Sequence, residues 1–229
     1  MKKLIAYFTI FERILWITSV LTIFIVFYMF QNNEHLYLIA SLIGVTALIF
    51  LAKGNPIGQF LIIVFSIFYG FISFSYQYYG EMITYLGMTA PIALVALISW
   101  LKHPFSGQLK EVEINTLSRR SHLKIILSGL LVTLCFYFIL NFLSTPNIIL
   151  SSFSVFTSYV ASLLTLKRSK FYALAYATND LVLISLWLLA SIHQITYISL
   201  VICFLAFFVN DLYGFVSWTK LHNKQKQFA

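Results

Sequence analysis

Long runs of apolar residues without charge recur along this chain, and they restrict its fold more than any other feature. A helix needs about 20 apolar residues to cross the hydrocarbon core of a bilayer. Eight runs qualify as spans, at residues 12–30, 36–52, 57–77, 81–101, 122–143, 148–166, 171–192 and 196–219. Only 10% of the residues are charged and 60% are hydrophobic, whereas globular proteins have roughly 25% charged residues. The sequence therefore predicts an all-α integral membrane protein.

The basic residues fall on one side of these predicted spans. If the N-terminus is placed in the cytoplasm, every Lys and Arg falls on the cytoplasmic side, as the positive-inside rule requires. We therefore expect a multi-pass protein of the bacterial cell (inner) membrane with both termini in the cytoplasm. The net charge of +8 then needs no nucleic acid to explain it, and residues 118–120 (SRR) are expected to contact anionic membrane lipids.

Two segments of the chain resemble each other. The fourth span ends in SWLKH (99–103) and the eighth in SWTKLH (217–222), while Lys53 and Lys167 close the second and sixth spans. Spans 2–4 and 6–8 therefore align as parallel repeats joined by span 5, an arrangement typical of one class of transporter. The expected divisions are an extra N-terminal helix at 1–33, a first three-helix repeat at 34–102, a cytoplasmic loop and linker helix at 103–147, a second three-helix repeat at 148–222 and a cytoplasmic tail at 223–229.

Two aspartates lie deep within spans and are the strongest indication of a functional site. An ionised carboxylate at the bilayer centre costs at least about 2.5 kcal/mol, so it is usually paired or turned toward water or a ligand. Asp180 and Asp211 each follow an asparagine, and both lie about 12 to 14 Å from the cytoplasmic boundary. We therefore expect them to face one cavity. A purely structural role in bonding one helix to the next is the alternative.

Aromatic and amide side chains share helical faces with these acids. Rings beside amides and carboxylates suit a flat heterocycle that carries a sugar, because rings stack and acid oxygens accept hydroxyl hydrogens. The expected substrate-binding residues are Tyr172, Tyr176, Asn179, Asp180, Asn210, Asp211 and Tyr213. Proton coupling through either aspartate remains open.

Enzyme chemistry has little support in the sequence. Paired intramembrane aspartates also occur in aspartyl proteases, but those resemble one another in a Gly-x-Gly-Asp motif, and here Phe208-Val209-Asn210 precedes Asp211. Cysteines and histidines lack metal-ligand spacing, and no phosphate-binding loop is present. We therefore expect no catalytic residue, metal or cofactor, and any transport is passive or ion-coupled. A membrane substrate-binding or receptor subunit remains an alternative of another class.

Several motifs together resemble the PnuC family of nicotinamide riboside transporters. They are SLIGVTALIFLAKGNPIGQF at 41–60, YGEM at 79–82, NDLVLISLW at 179–187 and NDLYGFVSWTK at 210–220. The resemblance implies a three-plus-one-plus-three helix bundle, preceded here by an extra helix. It also implies facilitated diffusion of a vitamin precursor, trapping of that precursor by a cytoplasmic kinase, and a homotrimer.

The resemblance also bears on individual residues of the seventh and eighth spans. Family members typically show Trp-x-x-Trp-x-x-x-Asn, and this chain has Tyr172, Ala175 and Asn179 at those positions. A glutamine of the fourth span is replaced by Ala93, whereas Asn210, Tyr213 and Gly214 are retained. Since the stacking rings differ, deoxynucleosides and thiamine remain alternatives to nicotinamide riboside.

Overall fold

The computed structural model describes residues 7–30, 35–107 and 110–228. Within those ranges it has eight helices long and apolar enough to cross a membrane. They are α1 (Ile10–Phe30), α2 (His35–Ala52), α3 (Pro56–Ser75), α4 (Tyr79–Lys102), α5 (Arg119–Phe142), α6 (Ile148–Leu166), α7 (Tyr172–Ser191) and α8 (Ile198–Gln227). The all-α membrane architecture is thereby confirmed. Lys2 and Lys3, which the charge pattern assigns to the cytoplasm, lie outside the described residues.

Two elements differ in detail from the expected bounds. Helix α8 continues to Gln227, so most of the expected cytoplasmic tail is helical. Helix α4 changes to a π-helix over Thr84–Thr89 before it resumes at Ala90. Proline at position 91 lacks the N–H that an α-helix would use, and the wider turn just before it accommodates that loss. Such π-segments are frequent at functional sites.

The helix ends that carry basic residues meet at one end of the bundle, which we call the lysine-rich end. Helices α2, α4, α6 and α8 all finish there, beside Lys53, Lys102, Lys167 and Lys220. We call the opposite end, where α3 joins α4 and α7 joins α8, the far end. Within each repeat the middle helix packs on both neighbours, and between repeats α4 packs on α6 while α8 packs on α2.

The repeats exchange equivalent hydrogen bonds at the lysine-rich end. The indole Nε1–H of Trp100, on α4, donates to the carbonyl of Thr165 on α6 at 3.1 Å. In the same way Trp218, on α8, donates to the carbonyl of Leu51 on α2 at 2.7 Å. Both indoles are fully buried, and their ring centroids are 5.4 Å apart. The repeated Trp-Lys endings of the sequence therefore form a two-fold contact between the repeats.

The turns that follow α2 and α6 also correspond. Gly54 has φ +66° and Arg168 has φ +57°, so each turn has a left-handed residue, which is unusual for an arginine. Burial lowers the pKa of the Arg168 guanidinium below its ordinary value, and the opposing effect of Glu113 is smaller. The Glu113 carboxylate lies 3.6 Å away.

The segment 110–118, which we call the strap, crosses the lysine-rich end and joins both turns. The amide of Val112 donates to the carbonyl of Gly54, and that of Asn115 donates to the carbonyl of Arg168, both at 2.9 Å. Val112 and Ile114 are only 1% and 8% exposed, so their side chains pack into the bundle. The strap therefore covers this end of the protein.

The C-terminal part of α8 holds the strap in place. The Gln225 Oε1 atom accepts from the amide of Ile114 at 2.8 Å. Its Nε2 donates to the carbonyl of Val112 and to the carboxylate of Glu111, both at 3.0 Å. A further ion pair joins Lys224 to Glu111 at 3.4 Å. One side chain thus satisfies polar groups on three strap residues.

Candidate functional site

The face of α7 that was expected to bind substrate packs on a row of hydroxyl groups from α6. The Asn179 Oδ1 atom accepts hydrogen bonds from Thr157 Oγ1 at 2.7 Å and from Ser158 Oγ at 2.9 Å. One turn nearer the lysine-rich end, the hydroxyls of Tyr176 and Ser162 lie 3.1 Å apart. The α6 row therefore fixes the orientation of two predicted site residues.

The structure brings the two predicted aspartates together. Asp180 and Asp211 are 3% and 4% exposed, and their carboxyl groups lie within hydrogen-bonding range of each other. The Oδ2 atom of Asp180 has no hydrogen-bond partner within the described part of the chain. Two carboxyl groups share such a contact most readily when one of them is protonated. The pair therefore includes one buried acceptor that no donor in the described part of the chain satisfies.

Tyrosine rings adjoin this acid pair on both sides. The hydroxyl of Tyr85, from the π-segment of α4, lies within electrostatic range of Asp180 and of the Tyr176 hydroxyl. Tyr172 is 1% exposed and packs edge-on against the ring of Trp218, with centroids 4.6 Å apart. Tyr85 thus lies near the acid pair, whereas the Tyr172 ring lies between the pair and the tryptophans of the lysine-rich end.

Asn210 and Tyr213 lie on a different face of α8, directed toward α1. The Asn210 Nδ2 atom donates to Ser19 Oγ at 3.0 Å, and the Tyr213 hydroxyl donates to Glu12 Oε1 at 2.8 Å. Glu12 is itself paired with Lys53 at 3.4 Å. In this structure these two predicted site residues therefore join the extra N-terminal helix to the bundle, away from the aspartate pair.

Gly214 lies on the face of α8 that meets α7. A Cβ built at this position would lie 3.3 Å from the Cβ of Ala173 and 3.6 Å from the Tyr172 hydroxyl. The glycine therefore permits the close approach of α7 and α8 that places Asp180 beside Asp211.

Sequence reasoning missed the hydroxyl row of α6 and the tyrosine of the π-segment. The row consists of Ser151, Ser154, Thr157, Ser158, Ser162 and Thr165, all at most 7% exposed. Its signal was the spacing of three or four residues between hydroxyls, which places them on one helical face. Tyr85 offered no comparable signal, because its position depends on the π-turn.

Aromatic side chains fill the bundle between this level and the far end. The rings of Phe65, Tyr69 and Tyr85 pack on one another, and the Tyr69 and Tyr85 centroids are 4.4 Å apart. Nearer the far end the Trp187 indole donates to the Tyr69 hydroxyl at 2.9 Å and lies 4.8 Å from the Tyr78 ring. Rings thus pack across the far end, and the tryptophan pair and the strap pack across the lysine-rich end.

These features define a class of protein. Two parallel three-helix repeats enclose a buried strip of acid, amide, hydroxyl and aromatic groups near mid-depth, which is the architecture of a membrane carrier for a small polar solute. Among the described residues no cluster of His, Cys, Asp and Glu could hold a metal ion.

Comparison with known proteins agrees with this class and identifies the family. The model of the nicotinamide mononucleotide transporter family matches residues 34–220, so the chain belongs to that family of membrane transporters. A relative named nicotinamide riboside transporter PnuC, from Neisseria mucosa, is 27% identical over 225 residues, covering 96% of this chain and 85% of the relative. A crystal structure of the vitamin B3 transporter PnuC has a TM-score of 0.84 at 24% identity, over 95% of this chain and 94% of that chain. The predicted family is thereby confirmed, and the fold is shared.

Proposed function

We propose that this protein carries nicotinamide riboside by facilitated diffusion. The observation that carries the proposal is that the buried strip contains acids and no basic residue. Two carboxyl groups meet at mid-depth, and residues 56–101, 148–166 and 171–219 contain no Lys or Arg. A strip of this kind favours a riboside with a positively charged ring, whose sugar hydroxyls donate to acid oxygens. A mononucleotide would bring a phosphate to a strip that has acids but no basic residue to pair with it.

The orientation and the partners are part of the same proposal. The lysine-rich end faces the cytoplasm of a bacterium, by the positive-inside rule, so the strap covers the inner mouth. A cytoplasmic kinase then phosphorylates the entering riboside and keeps it from leaving. The carrier itself leaves its substrate chemically unchanged, and it needs no cofactor.

Helix α5 buries only Ile125, Gly129 and Leu140, which leaves apolar surface for lipids or for the other copies of a homotrimer.

Uptake by purified protein in liposomes tests this proposal. Labelled nicotinamide riboside, nicotinamide mononucleotide, thiamine and thymidine are offered separately, and the recovered label is identified by chromatography. We expect the riboside alone to equilibrate, unaltered. Equilibration of thymidine or thiamine instead would replace the substrate, and binding without equilibration would support a receptor.

The aspartates are tested in the same liposomes. Asp180→Asn and Asp211→Asn each remove an acid from the pair, and we expect either change to slow riboside uptake at least about tenfold, as loss of one charged hydrogen bond would. Glu113→Gln is the matched control, because Glu113 is 62% exposed in its side chain at the lysine-rich end. Uptake at the normal rate in both aspartate variants would remove the pair from the site.

A further inference from the structure

A third buried acid, Glu81, lies outside the predicted site. Its side chain is fully buried, two residues inside the far end of α4. Ser154 Oγ donates to its Oε1 atom at 2.8 Å. Its Oε2 atom has no hydrogen-bond partner within the described part of the chain. A buried carboxylate oxygen without a partner carries a large desolvation cost. A bound ligand that donates a hydrogen bond or supplies a positive charge to this atom would offset that cost.

The α6 row places Glu81 in line with the predicted site. Ser154 holds Glu81, and Thr157 and Ser158, about one turn further along the same helix, hold Asn179. Both contacts therefore lie on one face of α6. Glu81 occupies the end of that row nearer the far end, and Asn179 marks the level of the aspartate pair.

Tyr85 connects the two acid levels. Its hydroxyl lies within electrostatic range of both Glu81 and Asp180, and the Tyr69 hydroxyl lies within range of Glu81 and Tyr85. Phenol groups therefore lie between the Glu81 level and the Asp180 level. Each level has a buried acid oxygen that no donor among the described residues satisfies.

The surroundings supply no positive charge to Glu81. No Lys or Arg occurs in residues 56–101, 148–166 or 171–219. These ranges contain all of α3, α6 and α7, and all of α4 except Lys102. A cationic molecule that enters from the far end would supply the positive charge that Glu81 lacks. A pyridinium or thiazolium ring would supply it, whereas a neutral nucleoside would not.

We propose that Glu81 is a specificity-determining residue, which admits positively charged substrates from the far end and passes them to the Asp180–Asp211 pair. This inference rests on the proposed function, since it assigns the charge preference of the same path. Glu81 acts before the aspartates, so it governs entry from the far end more than affinity at mid-depth.

Paired substrates test the inference. Nicotinamide riboside is a cation, and its dihydro form has nearly the same shape with a neutral ring. Uptake of both into liposomes is measured for the unaltered protein, for Glu81→Gln, which keeps an acceptor for Ser154, and for Glu113→Gln as the control. We expect the ratio of cation to neutral uptake to fall about tenfold in Glu81→Gln, as the loss of one nearby charge would produce, and to stay unchanged in Glu113→Gln.

The outcomes separate the two proposals. If the unaltered protein carries neither form, the proposed function fails. If it carries the cation but Glu81→Gln keeps the same ratio, Glu81 is a structural acid and the inference fails. Should Glu81→Gln not fold, Glu81→Asp retains the charge and is expected to keep the preference. A ratio near one in the unaltered protein overturns the inference whatever the variants do.

Discussion

Removing the side chain of Gln225 should release the strap from the lysine-rich end. Gln225 is 6% exposed and makes hydrogen bonds to Ile114, Val112 and Glu111. In Gln225→Ala the amide of Ile114 and the carbonyl of Val112 lose these partners in a buried setting. At about 1 kcal/mol for each of the three bonds the closed strap loses about 3 kcal/mol. Strap opening should therefore become about 100-fold more frequent.

Amide hydrogen exchange measures this opening directly. The peptide that contains Ile114 should exchange about 100-fold faster in Gln225→Ala than in the unaltered protein, while peptides of α3 and α7 stay protected. Gln227→Ala is the matched control, because Gln227 is exposed on the same helix two residues further along. Equal exchange in all three proteins would refute the role given to Gln225.

A charge variant distinguishes hydrogen bonding from simple loss of volume. Gln225→Glu keeps the shape and the acceptor for Ile114, but it removes both donated bonds and sets a carboxylate against Glu111. The strap should therefore open more often in this variant too, and adding Glu111→Gln should partly restore protection. If Gln225→Glu exchanges like the unaltered protein, packing rather than hydrogen bonding holds the strap.

Two further changes test the packing of the bundle. A Cβ at Gly58 would lie 2.7 Å from the backbone nitrogen of Leu51, so Gly58→Ala should destabilise the protein by about 1–3 kcal/mol and lower its melting temperature. Gly87→Ala is the control and should leave the melting temperature unchanged, because no atom lies nearer than 3.7 Å to a Cβ there. Equal melting temperatures of the two variants would contradict this reasoning. Trp100→Phe removes the indole donor to Thr165 and should lower the free energy of unfolding by at least about 1 kcal/mol. The denaturation midpoint measures this loss, and an unchanged midpoint would show that the indole bond contributes nothing to stability.

The spans and the repeats could be predicted because they depend on patterns that repeat over many residues. Runs of apolar residues define each helix, and Trp100 and Trp218 precede lysines at matching positions. The pairing of Asp180 with Asp211 followed from their common depth, since consecutive antiparallel helices in one repeat must be neighbours. None of these inferences required knowledge of how a helix is rotated about its axis.

The assignment of the α8 residues required that rotation, and the sequence could not provide it. Successive helical residues point about 100° apart, so Asn210 and Asp211 cannot both face α7. The structure turns Asp211 and Gly214 toward α7, while Asn210 and Tyr213 meet α1. Because α1 is apolar almost throughout, nothing in its sequence indicated that Glu12 and Ser19 would be the partners.

The reciprocal tryptophan bonds make the two ends of this carrier unequal. Separating the repeats at the lysine-rich end breaks the Trp100 and Trp218 bonds in one step, and the strap must lift as well. At the far end the repeats are joined by the indole bond from Trp187 to Tyr69 and by the bond from Ser154 to Glu81. Opening of the lysine-rich end therefore requires two equivalent bonds and the strap to be released together, which favours one cooperative step over a gradual parting of the helices.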